Sequence, residues 1–380
     1  MIKQTILSAS ILSLVAITAC GETMDKKESK PKTATRWSEE KAHEWGARQK
    51  WIVGANFNPS DASNQLDMWQ ADTFNPELID KELGWAEAIG MNTMRVYLHH
   101  FPYRDDKEAF LKRMDQFLGI AAKHNIKIMF VFFDAVWNPN PVAGPQPEPK
   151  PHLHNANWMQ CPEKELLWNP ERHDELKPYV QDILKHFKDD DRILLWDLYN
   201  EPQNTNGSSY KDEGKEKYSL MLLKKVFGWA REINPSQPIS SAPWLGDWSD
   251  PDNLTDFDSF MFNNSDIITF HNYDDINEFM KRAEILKRYN RPKICTEYMA
   301  RGNKSFFDTH LPFAAENNIG MINWGLVDGR SQTKYPWDSW WVEYTAEPEL
   351  WFHEVFRNDG TPYKQAEVDL IKKLTTEKNK

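Results

Sequence analysis

The sequence predicts a single (β/α)₈ TIM barrel with enlarged loops, a fold in which eight parallel strands alternate with helices. Short apolar runs separated by segments of helical periodicity recur eight times along the 380 residues. These runs are almost continuously apolar, as expected for parallel strands that helices cover on both faces. Eight such units in about 340 residues match the size of this fold. The alternative, a doubly wound open sheet, requires a glycine-rich phosphate turn where the first strand is followed by GANFNPS.

The predicted strands are short runs rich in β-branched and aromatic residues. They are residues 51–57, 92–98, 126–133, 193–199, 238–242, 266–270, 292–296 and 320–325. Each is followed by a helix or by a long loop. A proline-rich segment at 139–151 follows the third strand, and it is either a wall of a binding cleft or a plain surface excursion.

The predicted helices carry apolar residues at intervals of three and four. The first begins at Asn75-Pro76, a favourable N-cap and first-turn pair, and ends at Gly90. The others are residues 110–121, 174–188, 215–232, 275–289, 306–317 and 364–375. Helices between consecutive strands allow those strands to run parallel.

The amino-terminal segment has the pattern of a secretion signal. Lys3 precedes an apolar run from Ile6 to Ala19 that is short for a membrane span, and Cys20 follows directly. The arrangement resembles a bacterial lipoprotein signal, which implies lipidation of Cys20 and a lipid anchor to the membrane. Gly21, rather than aspartate, then favours the outer membrane or cell surface. A plain signal peptide, with a periplasmic or secreted protein, is the alternative.

The predicted organisation has three parts. A signal peptide at 1–19 precedes a polar, flexible tether at 20–36, and one barrel domain covers 37–380. Two cysteines remain in that domain, Cys161 and Cys295, which either form a disulfide or stay free.

Composition and motif spacing exclude several classes of function. The chain carries 46 Lys and Arg against 57 Asp and Glu, a net charge of −11, which argues against nucleic acid as a partner. His152 and His154 lack the spacing of a zinc site and are expected on a solvated loop. Ser240-Ser241 lacks the GxSxG pattern of a serine esterase. We therefore predict no metal and no cofactor.

Two carboxylates stand where the fourth and seventh predicted strands end. Glu201 follows the fourth strand, and Glu297 ends the seventh. In a barrel the carboxyl ends of the strands carry the chemistry, so both acids are expected to face one another across its mouth. Two carboxyl groups about 5–5.5 Å apart hydrolyse a glycosidic bond with retention, one as nucleophile and the other as acid and then base.

The residues around these acids resemble those of the clan A glycoside hydrolases. The triplet Asn200-Glu201-Pro202 after the fourth strand and Glu297 at the end of the seventh match the clan pattern, over residues 50–355. This clan contains family 5 cellulases and mannanases, families 10 and 39 with xylan-active enzymes, and family 2 β-glycosidases. The resemblance implies that Glu201 is the acid/base, that Glu297 is the nucleophile, and that Asn200 binds the sugar 2-hydroxyl.

The same resemblance implies further binding residues. Arg95 on the second strand corresponds to the clan's arginine that pairs with the nucleophile. His271-Asn272-Tyr273 matches the clan's His-x-Tyr motif, which implies that Tyr273 bonds to the nucleophile and that His271 lies in the substrate site. Trp324 on the eighth strand corresponds to the platform beneath the sugar.

Other aromatic residues follow the strands directly. The chain contains 17 Trp, and indole faces stack on the apolar faces of sugar rings. Trp137 and Trp244 lie on loops after strands and are predicted sugar contacts. His99 and His100 after the second strand either contact sugar or pack within their loop.

Together these features predict a retaining β-glycoside hydrolase that acts on a plant or algal polysaccharide or its oligosaccharides. The resemblance favours xylan, with mannan, glucan and galactoside activities as alternatives. A catalytically silent polysaccharide-binding lipoprotein on the same fold is a second hypothesis, which a reducing-sugar assay separates from the first. The protein is expected to be a monomer.

Overall fold

A computed structural model describes Met1 and residues 34–207, 209–210 and 214–379. The described residues from Ala34 onward form one compact unit. Apart from Met1, the predicted signal peptide lies outside the described residues, as do Cys20 and most of the predicted tether. No helix within the described ranges is long and apolar enough to cross a membrane.

Eight parallel strands form a nearly closed barrel, which confirms the predicted fold class. They are β1 (Val53–Asn56), β2 (Thr93–Tyr97), β3 (Lys127–Val131), β4 (Ile193–Asp197), β5 (Ile239–Ser240), β6 (Ile268–His271), β7 (Lys293–Tyr298) and β8 (Ile319–Trp324). The strands pair in the order β5-β4-β3-β2-β1-β8-β7-β6. Because β8 pairs in parallel with β1, the sheet curls into a barrel rather than remaining open.

The barrel has one weak seam, between β5 and β6. These strands form no backbone ladder within the described residues, because β5 is only two residues long. Individual hydrogen bonds bridge the seam instead: the backbone nitrogen of Asp266 donates to the carbonyl of Ile239 at 2.9 Å, and the carboxylate of Asp266 accepts from the backbone nitrogen of Ile239 at 2.9 Å. The hydroxyl groups of Ser240 and Thr269 lie 2.6 Å apart. Hydrogen bonds therefore continue around the ring where strand pairing stops.

Twelve α-helices surround the barrel in the described part of the chain. They are α1 (Glu39–Ala47), α2 (Gln65–Trp69), α3 (Pro76–Ala88), α4 (His100–Asp105), α5 (Lys107–Lys123), α6 (Lys164–Leu167), α7 (Lys177–Phe187), α8 (Glu216–Ile233), α9 (Asp256–Asn264), α10 (Ile276–Ile285), α11 (Phe307–Glu316) and α12 (Gln365–Lys378). All seven predicted helices are present. The five that the sequence did not predict span nine residues or fewer, too few to display a helical period.

The packed part of the chain begins before the predicted domain start at 37. Arg36 Nε donates to the carbonyl of Ser265 at 2.7 Å, and the backbone nitrogen of Trp37 donates to Asp266 at 2.8 Å. Trp37 and α1 also join an apolar cluster at the amino-terminal ends of the strands, made of Trp37, Ala42, Trp45, Ile52, Met129, Leu194, Leu195, Ile267, Ile294 and Ile322. The amino-terminal end of the barrel is thereby filled, and its opposite end is left for the site.

Candidate active site

The two predicted catalytic acids converge at the carboxyl end of the barrel. Glu201 lies just beyond β4, Glu297 lies within β7, and their exposed fractions are 7% and 5%. One carboxylate oxygen of each and a ring nitrogen of His271 all lie within 4.8 Å of one another. His271 Nδ1 is 2.8 Å from Glu201 Oε1 and 3.5 Å from Glu297 Oε2. Both acids therefore reach the same point in space.

Three donors hold the carboxylate of Glu297. Arg95 Nη1 donates to Oε1 at 2.7 Å, and the hydroxyl of Tyr97 donates to the same oxygen at 2.8 Å. The hydroxyl of Tyr273 donates to Oε2 at 2.8 Å. Charge-assisted hydrogen bonds of this kind fix the carboxylate and stabilise its negative charge. Glu297 is thus oriented as a nucleophile requires.

Glu201 sits in an environment that suits a proton donor. Burial raises the pKa of its carboxyl to about 7. Asn204 Nδ2 donates to Oε2 at 2.8 Å, and His271 Nδ1 contacts the other oxygen. Burial lowers the pKa of His271 to about 4, so the ring that contacts Glu201 is neutral. The two acids therefore differ in environment, as acid and nucleophile must.

Glu201 also has an uncommon backbone conformation. Its φ angle is +43°, a region that non-glycine residues rarely occupy. Its carbonyl accepts a hydrogen bond from the backbone nitrogen of Asn204 at 2.8 Å, which closes a tight turn directly after the strand. This turn aims the side chain of Glu201 across the barrel mouth toward Glu297.

Asn200 and Asp134 form a polar layer beside the acids. Asn200 Oδ1 accepts from Arg95 Nη2 at 2.7 Å, and its Nδ2 donates to Asp134 Oδ1 at 2.9 Å. Asp134 Oδ2 accepts from the indole of Trp158 at 2.7 Å. The amide of Asn200 is therefore held with its nitrogen toward Asp134, which leaves the second amide proton for a ligand.

The sequence interpretation missed several members of this network. Tyr97, Asp134, Asp197 and Asn204 all contact the predicted site residues. A signal for two of them was present: Tyr97 and Asp197 are the last residues of buried strands, where a polar group requires a partner. Asp134 follows the third predicted strand directly, the same placement that singled out Glu201.

Arg95 provides the positive charge that neutralises the buried carboxylates around it. It is fully buried and pairs with Asp197 at 2.8 Å as well as with Glu297. Burial alone would lower the pKa of Arg95, but its contacts with Tyr97, Asp197 and Glu297 raise it above its usual value. One cation thus balances two buried carboxylates.

Replacing Arg95 with leucine is expected to destabilise the protein by about 3–5 kcal/mol, because it leaves two buried carboxylates without their cation. Denaturant unfolding measures this loss. Exchanging Arg104, whose ion pair with Asp105 is solvent-exposed, for leucine is the control and should cost less than about 1 kcal/mol. Equal effects of the two substitutions would contradict the assigned role of Arg95.

The cleft above the acids has a cavity volume of about 390 Å³ and is lined by five tryptophans. They are Trp137, Trp244, Trp324, Trp337 and Trp341. The structure brings the three predicted sugar contacts together here, and with them Trp337 and Trp341, which also lie on a loop after a strand. Trp341 is the most accessible, with 64% of its surface exposed. Aromatic faces around a few polar groups are typical of a carbohydrate site.

Three expectations about other residues are corrected or resolved. His154 is buried and lines the cleft, so its predicted place on a solvated loop is wrong, because its ring bonds to the carbonyl of Tyr335. His99 and His100 pack against the loop after β3, the first against the carbonyl of Gln160 and the second against Glu163, and neither lines the cleft. Cys161 and Cys295 are buried and free, so they form no disulfide.

Two clusters contain metal-ligand side chains among the described residues. One is His99, His100 and Cys161, and the other is Glu201, His271 and Glu297. In the first, both ring nitrogens of His99 already bond to backbone groups. In the second, Arg95 already supplies a positive charge. The donors of both clusters are therefore engaged by the protein itself.

The fold and the paired carboxylates define a class of protein, the barrel glycoside hydrolases. A sequence model described as Cellulase (glycosyl hydrolase family 5) matches residues 53–349. The chain belongs to glycosyl hydrolase family 5, and it is a glycoside hydrolase. No curated protein sequence matches it.

Solved structures with the same fold are distant in sequence. A GH5_18 protein from Streptomyces cattleya in complex with Manβ1-4GlcNAc has 11% identity and a TM-score of 0.59, covering 87% of this chain and 81% of that chain. An endo-β-1,4-mannanase from Thermotoga petrophila has 13% identity and a TM-score of 0.54, covering 88% and 78%. An exo-β-1,4-mannosidase from Opitutaceae bacterium strain TAV5 has 16% identity and a TM-score of 0.56, covering 86% and 59%.

Proposed function

We propose that this protein is a retaining β-glycosidase that works by double displacement. The observation that carries the proposal is the approach of a Glu201 oxygen to a Glu297 oxygen within 4.8 Å. Carboxyl groups this close leave no room for an intervening water, so one of them must attack the sugar itself. Inverting enzymes separate the two groups by about 6.5–9.5 Å.

The reaction has two steps. Glu297 attacks the anomeric carbon while Glu201 protonates the departing glycosidic oxygen, which breaks the bond and leaves a glycosyl ester on Glu297. Glu201, now ionised, takes a proton from water as the water attacks the same carbon from the side that the leaving group vacated. The sugar leaves with its original configuration, and Glu201 regains its proton.

For the substrate we propose a β-linked mannose-containing oligosaccharide. Support comes from the relatives in fold, which include a mannanase, a mannosidase and a complex with Manβ1-4GlcNAc. The sequence-based preference for xylan finds no such support. The five tryptophans of the cleft suit any β-linked sugar, so the choice among sugars rests on these relatives.

A panel of 4-nitrophenyl β-glycosides tests the function and the sugar together. We expect the β-mannoside to be hydrolysed with the highest kcat/KM, ahead of the β-xyloside, β-glucoside and β-galactoside. Glu297→Gln protein purified in parallel is the control for contaminating hydrolases. A higher kcat/KM for the β-xyloside would favour xylan, as the sequence predicts. No turnover of any of the four glycosides would contradict the proposed activity.

We further propose that the mature protein is anchored to a membrane by lipid at Cys20. The motif at the end of the signal sequence supports this placement. In cells fed radiolabelled palmitate, the wild-type chain is expected to carry label and to pellet with membranes, whereas Cys20→Ser should carry none. Label on both proteins, or on neither, would contradict lipidation at this cysteine.

A further inference from the structure

Two loops that leave the barrel at β3 and β8 are joined across its mouth. The backbone nitrogen of Asn155 donates to the carbonyl of Ser331 at 2.9 Å, and that of His154 donates to Ser339 Oγ at 3.0 Å. Further hydrogen bonds join Trp340 Nε1 to the carbonyl of His154, the backbone nitrogen of His152 to Gln332 Oε1, and Gln332 Nε2 to the carbonyl of Lys150. We name residues 150–155 and 331–340 the clasp.

The clasp covers the sector of the mouth above β1 and β2. Because these strands lie between β3 and β8 in the sheet, a bridge joining the loops after β3 and β8 passes over their ends. Trp158 fills the space beneath it, edge-on to Tyr97 at 5.1 Å and to Trp324 at 5.7 Å. The cavity left there, lined by Asn56 and Tyr97 among others, measures about 20 Å³. That volume holds about one water molecule and no sugar.

The loop after β1 closes the same sector from outside. The backbone nitrogen of Arg330 donates to the carbonyl of Ser60 at 2.9 Å, and Gln65 Nε2 donates to the carbonyl of Met159 at 2.9 Å. Gly329 packs so closely here that a Cβ would lie 2.3 Å from the Ser60 carbonyl oxygen. Three loops are therefore locked together over β1 and β2.

The catalytic cleft lies in the remaining part of the barrel mouth, above β3 to β8. Among the described residues, those that line it follow β3 to β8, and none comes from β1 or β2. Glu201 protonates the leaving group, so the leaving portion of the substrate lies on the side of β4 and β5. Trp244 and Leu245 line the cleft there, with exposed fractions of 37% and 41%. Among the described residues, the cleft is thus open on the leaving-group side and walled on the opposite side.

From this asymmetry we infer that the enzyme acts from the non-reducing end and releases terminal sugars, an inference that rests on the proposed glycosidase function. The sugar held between Glu201 and Glu297 has the clasp beyond it, so a chain that continued past that sugar would collide with the wall. The part of the chain that the structure describes leaves an open path for the leaving portion, which can therefore be long. A terminal residue of a β-linked oligosaccharide is the substrate that this shape accepts.

Product analysis tests the inference directly. The wild-type protein is incubated with β-1,4-linked mannohexaose, xylohexaose and cellohexaose, each labelled with 2-aminobenzamide at the reducing end. We expect free monosaccharide and a labelled pentamer as the first products from the hexamer that is cleaved. Labelled dimers or trimers at the earliest times would overturn the inference and leave the proposed function standing. No product from any hexamer would remove both.

A variant tests whether the clasp causes the end selectivity. Trp340→Ala removes the bond to His154 and the stack on Trp137 at 5.8 Å, and it should raise cleavage of a mannohexaose blocked at its non-reducing terminal 4-hydroxyl at least tenfold. Trp168→Ala, which removes a ring contact with Tyr218 outside the cleft, is the control and should leave that cleavage unchanged. Ser339→Ala replaces Trp340→Ala if that variant fails to fold. Unchanged selectivity in a folded clasp variant would overturn the inference.

Discussion

Replacing Glu297 with glutamine is expected to lower kcat by about 10⁴-fold or more while the protein stays folded. The amide is the same size but is a poor nucleophile, so the glycosyl ester has no efficient route of formation. Arg95 Nη1 and the Tyr97 hydroxyl both donate to Oε1 of Glu297 in the wild type. Neither hydrogen bond can restore the negative charge that the amide lacks. Initial rates on an activated aryl glycoside measure the loss.

A matched control separates chemistry from packing. Glu82 on α3 is also buried, and burial raises the pKa of its carboxyl to about 7, but it contacts the backbone of Ser60 rather than the cleft. Glu82→Gln should keep kcat within about threefold of wild type, since it touches no reacting atom. A Glu297→Gln protein with near-wild-type turnover would assign the nucleophile to another residue.

Replacing Glu201 with glutamine should give losses that depend on the leaving group. General acid catalysis contributes about 10²–10⁴-fold, and it matters most when the departing oxygen is a poor leaving group. We therefore expect a large loss for natural oligosaccharides and a much smaller one in the first step for 2,4-dinitrophenyl glycosides. Measured kcat/KM values for the two substrates give this ratio, and equal losses for both would contradict the acid role.

The pH dependence gives a second signature of Glu201. Because burial raises its pKa to about 7, the carboxyl is protonated below that pH and loses its proton above it. In the wild type, kcat/KM should fall as pH rises through about 7. In Glu201→Gln no proton is lost from this position, so that fall should disappear. A fall of the same size in both proteins would assign it to another group.

The barrel fold and the positions of the two paired acids were predictable from the sequence, because both follow from local sequence patterns. Eight apolar strands were visible as short runs, and the end of a strand indicates where a side chain meets the barrel mouth. Glu201 and Glu297 each stand at such an end, so their convergence follows once the barrel is known. Strand β5 was placed correctly but is shorter than predicted, and individual hydrogen bonds at Ser240 and Asp266 join it to the β6 side in place of a regular ladder.

The shape of the cleft was not predictable for a physical reason. The clasp joins residues far apart in the chain: His152 and Gln332 are separated by 180 positions. His154 looked like a loop histidine because it lies in a segment without a strand or helix pattern, and its cover comes from the β8 loop, 181 positions away. Composition gives the number of tryptophans, whereas these long-range contacts decide which of them face the substrate.

The configuration of the first product tests the central claim most directly, namely that Glu201 and Glu297 act on one anomeric carbon from a short separation. Proton NMR of a β-glycoside hydrolysis in progress resolves the anomeric signals before mutarotation mixes them. The account predicts that the β-anomer of the released sugar appears first and the α-anomer grows in later. Initial appearance of the α-anomer would mean direct attack by water, and it would contradict the proposed double displacement.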